Sequence, residues 1–466
     1  MEHRKFFFVG IGGSGMMPLA MIVRACGAEM AGSDRGLDQG RTAPKFAALT
    51  DLGIRLFPQD GSGVSEDALV VASAAVEDDV PDIVAATRLG ATRMKRPELL
   101  ATLFNEAALP IGVAGTSGKS TVTGMIGLIL HACGRDPTVM NGAVMKDFIR
   151  PDAPFASALV GGGDAFVSEV DESDGSIALY RPRIAVLNNV TLDHKSLDEL
   201  RRLFGDFAKA ADHVIANAGD AETAALLATL PRDRLTTFAV EGEADLIARN
   251  LRPEPHGIAF DLIAGDTVIP VRLAVPGRHN VSNALAAIGA AQAAGVPLAE
   301  AAAAVAGFTG LRRRFDLVGQ AGGVTVIDDF GHNPDKIAAT LDTLHDQAGR
   351  LLVLFQPHGY GPLKVMGTEL AQTFIDRLAP GDVLTMPDPA YFGGTVAREV
   401  GSDAIVAAVA AGGRTAHHDA DRRNATDRLI ALARPGDRIV VMGARDDTLS
   451  VLAAEILARL GGLTAA

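Results

Sequence analysis

Gly115-Thr116-Ser117-Gly118-Lys119-Ser120-Thr121 lies between an apolar, strand-like run at residues 109–114 and a helix-like run at residues 122–131. Glycines in such a turn let backbone N–H groups face phosphate oxygens, and the following helix N-terminus adds a favourable dipole. Lys119 then stands where it neutralises phosphate charge, and Ser120 where its hydroxyl can ligate Mg²⁺. The two glycines are closer together than in G-x-x-x-x-G-K-[ST], and a bare glycine turn would be a mere strand–helix connection. The Lys-Ser-Thr ending points instead to nucleotide phosphate binding on an α/β sheet.

Upstream, a short apolar strand at residues 5–9 runs into Gly10-Ile11-Gly12-Gly13-Ser14-Gly15-Met16, then a helix-like run at 18–26 and a strand ending at Gly32-Ser33-Asp34. This is a Rossmann-like opening, in which glycines admit a diphosphate and an acidic residue reaches a ribose or base. Taken alone it suggests NAD, although an extra glycine and Met16 break the G-x-G-x-x-G pattern. Further apolar and helix-like runs at 69–74 and 97–104 lead to the phosphate loop.

Downstream, a buried-strand pattern at 165–170 delivers Glu169, followed by Asp171-Glu172-Ser173-Asp174, and a strand at 184–187 ends in Asn188-Asn189-Val190-Thr191-Leu192-Asp193-His194. Ligands gather beyond the carboxyl ends of strands in open α/β sheets. Ser120, Glu169 and His194 would suit a divalent cation shared with phosphates, the alternative being a solvated acidic loop and a surface histidine. Asn280 and Asn283, after Gly277-Arg278-His279, open an Ala-rich helix and either cap it or contact adenine.

A third segment follows Gly310-Leu311-Arg312-Arg313-Arg314-Phe315, three arginines that are either solvated or meet phosphate or carboxylate at a domain junction. Strand patterns at 324–327, 351–355, 382–386 and 438–442 alternate with helical ones and imply a second parallel sheet. Two end in chemically loaded turns, Asp328-Asp329-Phe330-Gly331-His332-Asn333-Pro334 and Gln356-Pro357-His358-Gly359-Tyr360-Gly361-Pro362-Leu363-Lys364.

A length of 466 residues implies about three domains, and 48% hydrophobic residues can fill them. A net charge of −13 opposes non-specific binding to nucleic acid or anionic membranes. Cys26 and Cys133 are too few for a disulfide framework or a Cys-rich zinc site. With no apolar run of membrane-spanning length and no cleavable signal, the expectation is a cytoplasmic protein.

In this order, and over nearly the whole chain, the landmarks resemble the Mur ligases, ATP-dependent amide-forming enzymes of peptidoglycan precursor synthesis. The nearest branches are those that add L-alanine, or in recycling a tripeptide, to UDP-N-acetylmuramate. Residues 115–121 are similar to G-T-x-G-K-[TS]-T, residues 169–174 to E-A-D-E-S-D, Asp193-His194 to D-H, and residues 277–283 to G-x-H-N-x-x-N. The resemblance implies three α/β domains: a UDP-sugar-binding Rossmann-like domain (1–106), a central P-loop ATP-binding domain (107–310), and a Rossmann-like domain for the amino substrate (311–466).

It further implies that Gly12, Gly13, Ser14, Gly15, Met16, Asp34 and Ser73 hold a UDP-sugar rather than NAD. The phosphate loop with His279, Asn280 and Asn283 would bind ATP. Ser120, Glu169 and His194 would hold Mg²⁺, with Glu172 ranked behind Glu169. Lys119, Asp329, His332 and Arg314 would be catalytic, and His358 and Lys364 would face the amino compound. Lys209 is read as a solvated helix lysine rather than a modified metal-bridging one, and the protein as a monomer or weak homodimer.

The chain departs from the branch pattern where H-R-Y-T-R-T is usual: Gly359 and Pro362 stand in place of arginines. Asn333 replaces a second histidine, Ser117 replaces the histidine of the phosphate loop, and residues 391–396 also differ. Lys364 returns only a mobile point charge, which Arg398 or Arg445 could supplement. These changes bear on the amine acceptor, with L-alanine the default and another amino acid or a peptide the alternative. A nicotinamide-dependent dehydrogenase and a non-catalytic nucleotide-binding relative are the rival readings from other classes.

Overall fold

The computed structural model describes residues 5–73, 76–191, 195–390, 400–444 and 446–463. Its first sheet contains β1 (Lys5–Val9), β2 (Glu29–Ser33), β3 (Arg55–Phe57), β4 (Ala68–Ala72) and β5 (Arg93–Lys95), in the spatial order β3-β2-β1-β4-β5. All its pairings are parallel. Three consecutive phenylalanines make β1 a central strand covered on both faces, as a parallel sheet requires. Phe6 and Phe8 enter one apolar layer, and Phe7 the other. The strand order reverses between β1 and β4, so the glycine-rich turn after β1 opens at the switch point where such sheets take ligands.

The second sheet has ten strands: β6 (Leu109–Ala114), β7 (Thr138–Met140), β8 (Ala158–Leu159), β9 (Ala165–Glu169), β10 (Ile184–Leu187), β11 (His213–Asn217), β12 (Leu235–Val240), β13 (Leu246–Glu254), β14 (Gly257–Ala264) and β15 (Thr267–Leu273). Their order is β15-β14-β13-β12-β11-β10-β6-β9-β7-β8. The phosphate-loop strand β6 therefore lies between β10 and β9, parallel to both. Three neighbouring carboxyl ends deliver the loop, Glu169 and Asn188 to one place. Helices Lys119–Ala132 and Arg278–Ala293 pack together against this sheet, the second buried almost throughout because alanine and glycine let it approach closely.

The third sheet comprises β16 (Asp316–Ala321), β17 (Val324–Asp329), β18 (Leu351–Phe355), β19 (Val383–Met386), β20 (Thr415–His418) and β21 (Arg438–Met442), ordered β16-β17-β21-β18-β19-β20. It is parallel except for the β16–β17 hairpin. β18, Leu-Leu-Val-Leu-Phe, is buried along its whole length. The turn expected over residues 356–364 is corrected here. It stops at Gly359, whose φ of +143° suits glycine, and the helix Tyr360–Arg377 begins at once, with Pro362 in its tolerant first turn. Asn333, one of the departures, has a plain local role: its side chain accepts from Lys336 N (3.0 Å) and caps the helix Pro334–His345, which starts with proline.

The chain separates into two compact units, residues 1–252 with 256–310, and residues 311–466 with Pro253–Pro255. Within the first unit the apolar core runs without a break from Phe6 and Phe8 to Phe204 and Phe207. Phe104, fully buried on the helix Arg96–Glu106, meets Phe166 and Tyr180 edge-on at 6.0 and 5.2 Å. The first two sheets thus share hydrophobic burial. Phe104→Ala should cost the first unit about 3–5 kcal/mol, the usual range for emptying a buried phenylalanine site. A lowered urea midpoint of that unit is the expected result; a wild-type midpoint would show that the two layers do not depend on this ring.

Candidate active site

At the end of β6 the chain turns through Gly115 (φ +135°) and Gly118 (φ +86°), backbone conformations that side chains disfavour. A Cβ at Gly118 would lie 2.3 Å from Asn188 Nδ2 and 2.5 Å from Asn283 Oδ1, so space as well as torsion demands glycine. The loop is held by asparagines from neighbouring strand ends. Ser117 N donates to Asn189 Oδ1 (2.8 Å), and Asn188 Nδ2 donates to both Ser117 O and Asn283 Oδ1 (2.9 Å each). Asn283 Nδ2 in turn reaches Asn280 Oδ1 at 3.3 Å, and Asn280 Nδ2 donates to Pro276 O. Asn280 and Asn283 do not cap their helix, since Gly277 occupies that position; they face the phosphate loop one helical turn apart. His279, between them and Gly277, is half-buried.

Lys119 folds back over the loop, its ammonium donating to Gly115 O (2.7 Å) and Glu172 Oε2 (2.8 Å). Burial opposes its charge, but the Glu172, Asp171 and Glu169 carboxylates outweigh burial and hold its pKa above the ordinary lysine value. Ser120 Oγ donates to Glu169 Oε2 at 2.8 Å, and Asn141 Nδ2 braces the carbonyl of Ser120. Glu172 therefore serves as the partner of Lys119, while Glu169 stays with Ser120. Glu169 occupies room left by Gly142, where a Cβ would come within 2.2 Å of its Oε1. A hydroxyl and a carboxylate are hard oxygen donors that fit Mg²⁺. Among the described residues no three His, Cys, Asp or Glu side chains converge as a metal site; Asp193 and His194 lie outside them. Lys209 is exposed in the last turn of helix Leu197–Ala210, as the solvated reading requires.

In the glycine-rich turn after β1, Asp34 bonds to backbone amides of the turn itself. Gly12 N donates to Asp34 Oδ2 (2.8 Å) and Gly36 N to Asp34 Oδ1 (2.6 Å), so this carboxylate shapes the turn and caps helix Arg35–Asp38. Gly13 N bonds Gly10 O and Met16 N bonds Gly13 O, whereas the amides of Ser14 and Gly15 have no hydrogen-bond partner among the described residues. Ser73 follows β4, and its carbonyl accepts from Val76 N.

In the second unit, Asp329 is bonded to the loops around it. Its Oδ2 accepts from Phe315 N (2.8 Å), and its Oδ1 from Gly331 N (2.8 Å) and Thr340 Oγ1 (3.1 Å), so it fixes two loops relative to each other. Those loops stack Arg314 over the Phe330 ring at 4.1 Å and bring His332 edge-on to His358 at 5.3 Å. His332 Nδ1 lies 3.0 Å from Phe330 O, so Nδ1 carries the proton and Nε2 the lone pair. Burial above all, with Lys336, His358 and Arg314 adding to it, pushes the His332 pKa down to about 2, and the ring is neutral at any ordinary pH. Lys364 is exposed and borders a cavity of about 340 Å³ between helices Tyr360–Arg377 and Ser402–Ala411. Tyr391 to Val396, Arg398 and Arg445 lie outside the described residues.

Two residues with clear roles in this geometry, and a third placed beside it, escaped sequence reasoning. Gly142 and Asn141 carried no signal, because their meaning depends on β7 lying beside β9. Arg96 did carry one: a cation at the first position of a helix, the end that the helix dipole makes positive.

The fold and the loop after β6 define a nucleotide-phosphate-binding α/β protein. Three family descriptions match in chain order: the Mur ligase family catalytic domain over residues 5–107, the Mur ligase middle domain over 113–291, and the Mur ligase glutamate ligase domain over 313–445. The UDP-N-acetylmuramate–L-alanine ligase of Streptomyces coelicolor is 36% identical, with 95% of each chain covered. That of Cereibacter sphaeroides is 35% identical over 100% of this chain and 98% of its own. The crystal structure of UDP-N-acetylmuramate-alanine ligase from Thermotoga maritima matches at a TM-score of 0.80 and 26% identity, covering 99% of this chain and 100% of that one. The murein peptide ligase of Psychrobacter arcticus shares the fold at a TM-score of 0.73 and 24% identity, with 98% and 99% covered. The chain belongs to the Mur ligase family, with that family's three α/β domains.

Gly142→Ala should displace the Glu169 carboxylate, and the expected outcome is a Mg²⁺ requirement for phosphate release raised about tenfold or more. An unchanged metal titration would remove Glu169 from the metal shell. A second expectation concerns Asp328, buried beside Arg313 (Nε to Oδ1 3.7 Å) and accepting from Ser450 Oγ. Burial pushes its pKa up to about 6, against the pull of Arg313. The unfolded chain therefore releases this proton first as pH rises, and the stability the protonated group contributes is lost between about pH 4 and 6. Asp328→Asn should match wild type near pH 4 and exceed it above pH 6, by on the order of 3 kcal/mol. Urea midpoints of both proteins across that range test it, and parallel curves would refute it.

Proposed function

We propose that this chain joins UDP-N-acetylmuramate to an amino acid, L-alanine by default, through an acyl phosphate, as a cytoplasmic step in peptidoglycan precursor synthesis. The observation that carries this reading is the charged Lys119 held at the phosphate loop beside the Ser120–Glu169 pair. The full-length relatives named for that reaction support it. Among the described residues no helix is long and apolar enough to cross a membrane. The domain roles follow the limits 1–106 for the UDP-sugar, 107–310 for ATP and 311–466 for the amino compound, in a monomer or weak homodimer.

In this reaction a substrate carboxylate attacks the γ-phosphate of ATP, and the amine then displaces phosphate from the acyl phosphate to form the amide. Both first reactants are anions, so the site's task is to supply positive charge and alignment. Lys119 is kept protonated by its carboxylate neighbours and exchanges Glu172 for phosphate oxygens. Ser120, Glu169 and His194 would hold Mg²⁺, which when bound neutralises phosphate charge. His279, Asn280 and Asn283 bind the adenine side, and the asparagine chain ties that contact to the phosphate loop. Arg314 and neutral His332 serve the acyl transfer, with the lone pair of His332 Nε2 offered as a hydrogen-bond acceptor. His358 and Lys364 face the amine acceptor.

Exchanging two arginines for Gly359 and Pro362 leaves less fixed positive charge for the free carboxylate of a small amino acid, which favours a second reading in which another amino acid or the cell-wall tripeptide is the acceptor. Incubation with UDP-N-acetylmuramate, Mg-ATP and each candidate acceptor, with products weighed by mass spectrometry, separates the two. The expected product carries one added alanine, and Lys119→Ala should slow phosphate release by about a hundred- to a thousandfold with its circular dichroism unchanged. Phosphate release without a new amide for any acceptor, or a folded Lys119→Ala variant at full turnover, would overturn the reading. NAD binding without UDP-sugar binding would return the dehydrogenase alternative.

A further inference from the structure

Arg96 is the first residue of helix Arg96–Glu106, where a positive side chain opposes the helix dipole, and its side chain is only 17% exposed. Burial and dipole both work against the charge. Among the described residues its one ion pair is with Asp174, whose Nη2–Oδ2 separation of 3.7 Å is too long for a hydrogen bond, and the Asp171 carboxylate lies within electrostatic reach. Among the described residues the guanidinium donates no hydrogen bond to the protein, so the fork of five N–H donors is unspent. Its position is specific: a Cβ added at Gly15 would lie 3.2 Å from Arg96 Nη1 and 3.4 Å from Cζ, so the guanidinium lies directly on the glycine-rich turn. The two amides without partners, those of Ser14 and Gly15, are in the same place, at the start of helix Met16–Ala25.

We propose that Arg96 is a binding residue for the diphosphate of the sugar nucleotide, its guanidinium joining the Ser14 and Gly15 amides on the phosphate oxygens while Asp174 holds its far edge. The proposal rests on the reading of the first domain as a UDP-sugar site and adds to it a residue outside the glycine turn. It accounts for a cation at the wrong end of a helix, for its unused donors, and for glycine at position 15, where a methyl group would press on the guanidinium. Asp174 belongs to the same acidic turn as Glu172, the partner of Lys119. Arg96 therefore spans the distance from the first sheet's ligand turn to the carboxylates of the phosphate-loop site.

Calorimetric titration of the full-length wild type, Arg96→Ala and Arg96→Lys with UDP-N-acetylmuramate, UDP and ATP tests this. Arg96→Ala should weaken both uridine nucleotides about ten- to a hundredfold, the range of a lost charge-assisted bond, and leave the ATP affinity unchanged. Arg96→Lys should recover part of that loss, since it keeps the charge without the fork. Unchanged uridine-nucleotide affinity in Arg96→Ala overturns the proposal. So does a loss confined to UDP-N-acetylmuramate, which would put the contact on the lactyl carboxylate, and so does an equal loss for ATP, which would make Arg96 a structural residue. A wild-type chain that binds ATP but neither uridine nucleotide overturns the functional reading as well.

Discussion

One ammonium group, that of Lys119, is kept charged at the inner end of a parallel sheet, and the architecture around it follows from that constraint. A buried cation without a partner would lose its proton or unfold its surroundings; breaking such a pair costs about 3–5 kcal/mol in typical proteins. Here the charge is matched by Glu172 and by the carbonyl of Gly115. Gly115 directly follows its own strand β6, and Glu172 follows the adjacent strand β9, which brings the carboxylate within reach. The central sheet is in this sense a device for bringing three carboxyl ends to one lysine.

The phosphate loop is narrow because asparagine side chains wall it. Asn188 and Asn189 come from the loop after β10 and Asn280 and Asn283 from one helix, and their amides bond the phosphate loop's backbone and one another. An amide donates and accepts at once, which lets the chain Asn280–Asn283–Asn188 connect that helix to the loop without adding charge beside Lys119. Glycine at 118 is the consequence, since the wall leaves no room for a side chain.

Spent and unspent groups distinguish scaffolding from ligand-facing chemistry across the chain. Asp34 and Asp329 both have two oxygens engaged by backbone amides, and both hold loops in shape. Arg96 and the Ser14 and Gly15 amides are close to one another and carry donors the protein does not use. His332 is driven to neutrality by burial and by cationic neighbours, so its ring resists taking up a proton and carries no charge with which to hold an anion.

Local sequence determined the strands, because β1 and β18 are apolar without alternation and can only be central strands of a covered parallel sheet. It determined the phosphate loop as well, since glycine spacing and the Lys-Ser pair are contiguous and their chemistry is set by the backbone they share. The division of labour among acidic residues was decided by tertiary structure alone. Glu169 and Glu172 are three apart and alike in type, and only the pairing of β9 with β6 on one side and β7 on the other assigns one to Ser120, with room made by Gly142, and the other to Lys119. In the same way, only the fold shows which backbone amides Asp34 and Asp329 hold. Helix starts at Tyr360 and Pro334 depended on Gly359 and Asn333, residues whose capping roles were obscured by their places in ligand-like motifs. Side chains that act through neighbours distant in sequence have no local signature, because the interaction that defines them exists only after the strands are paired.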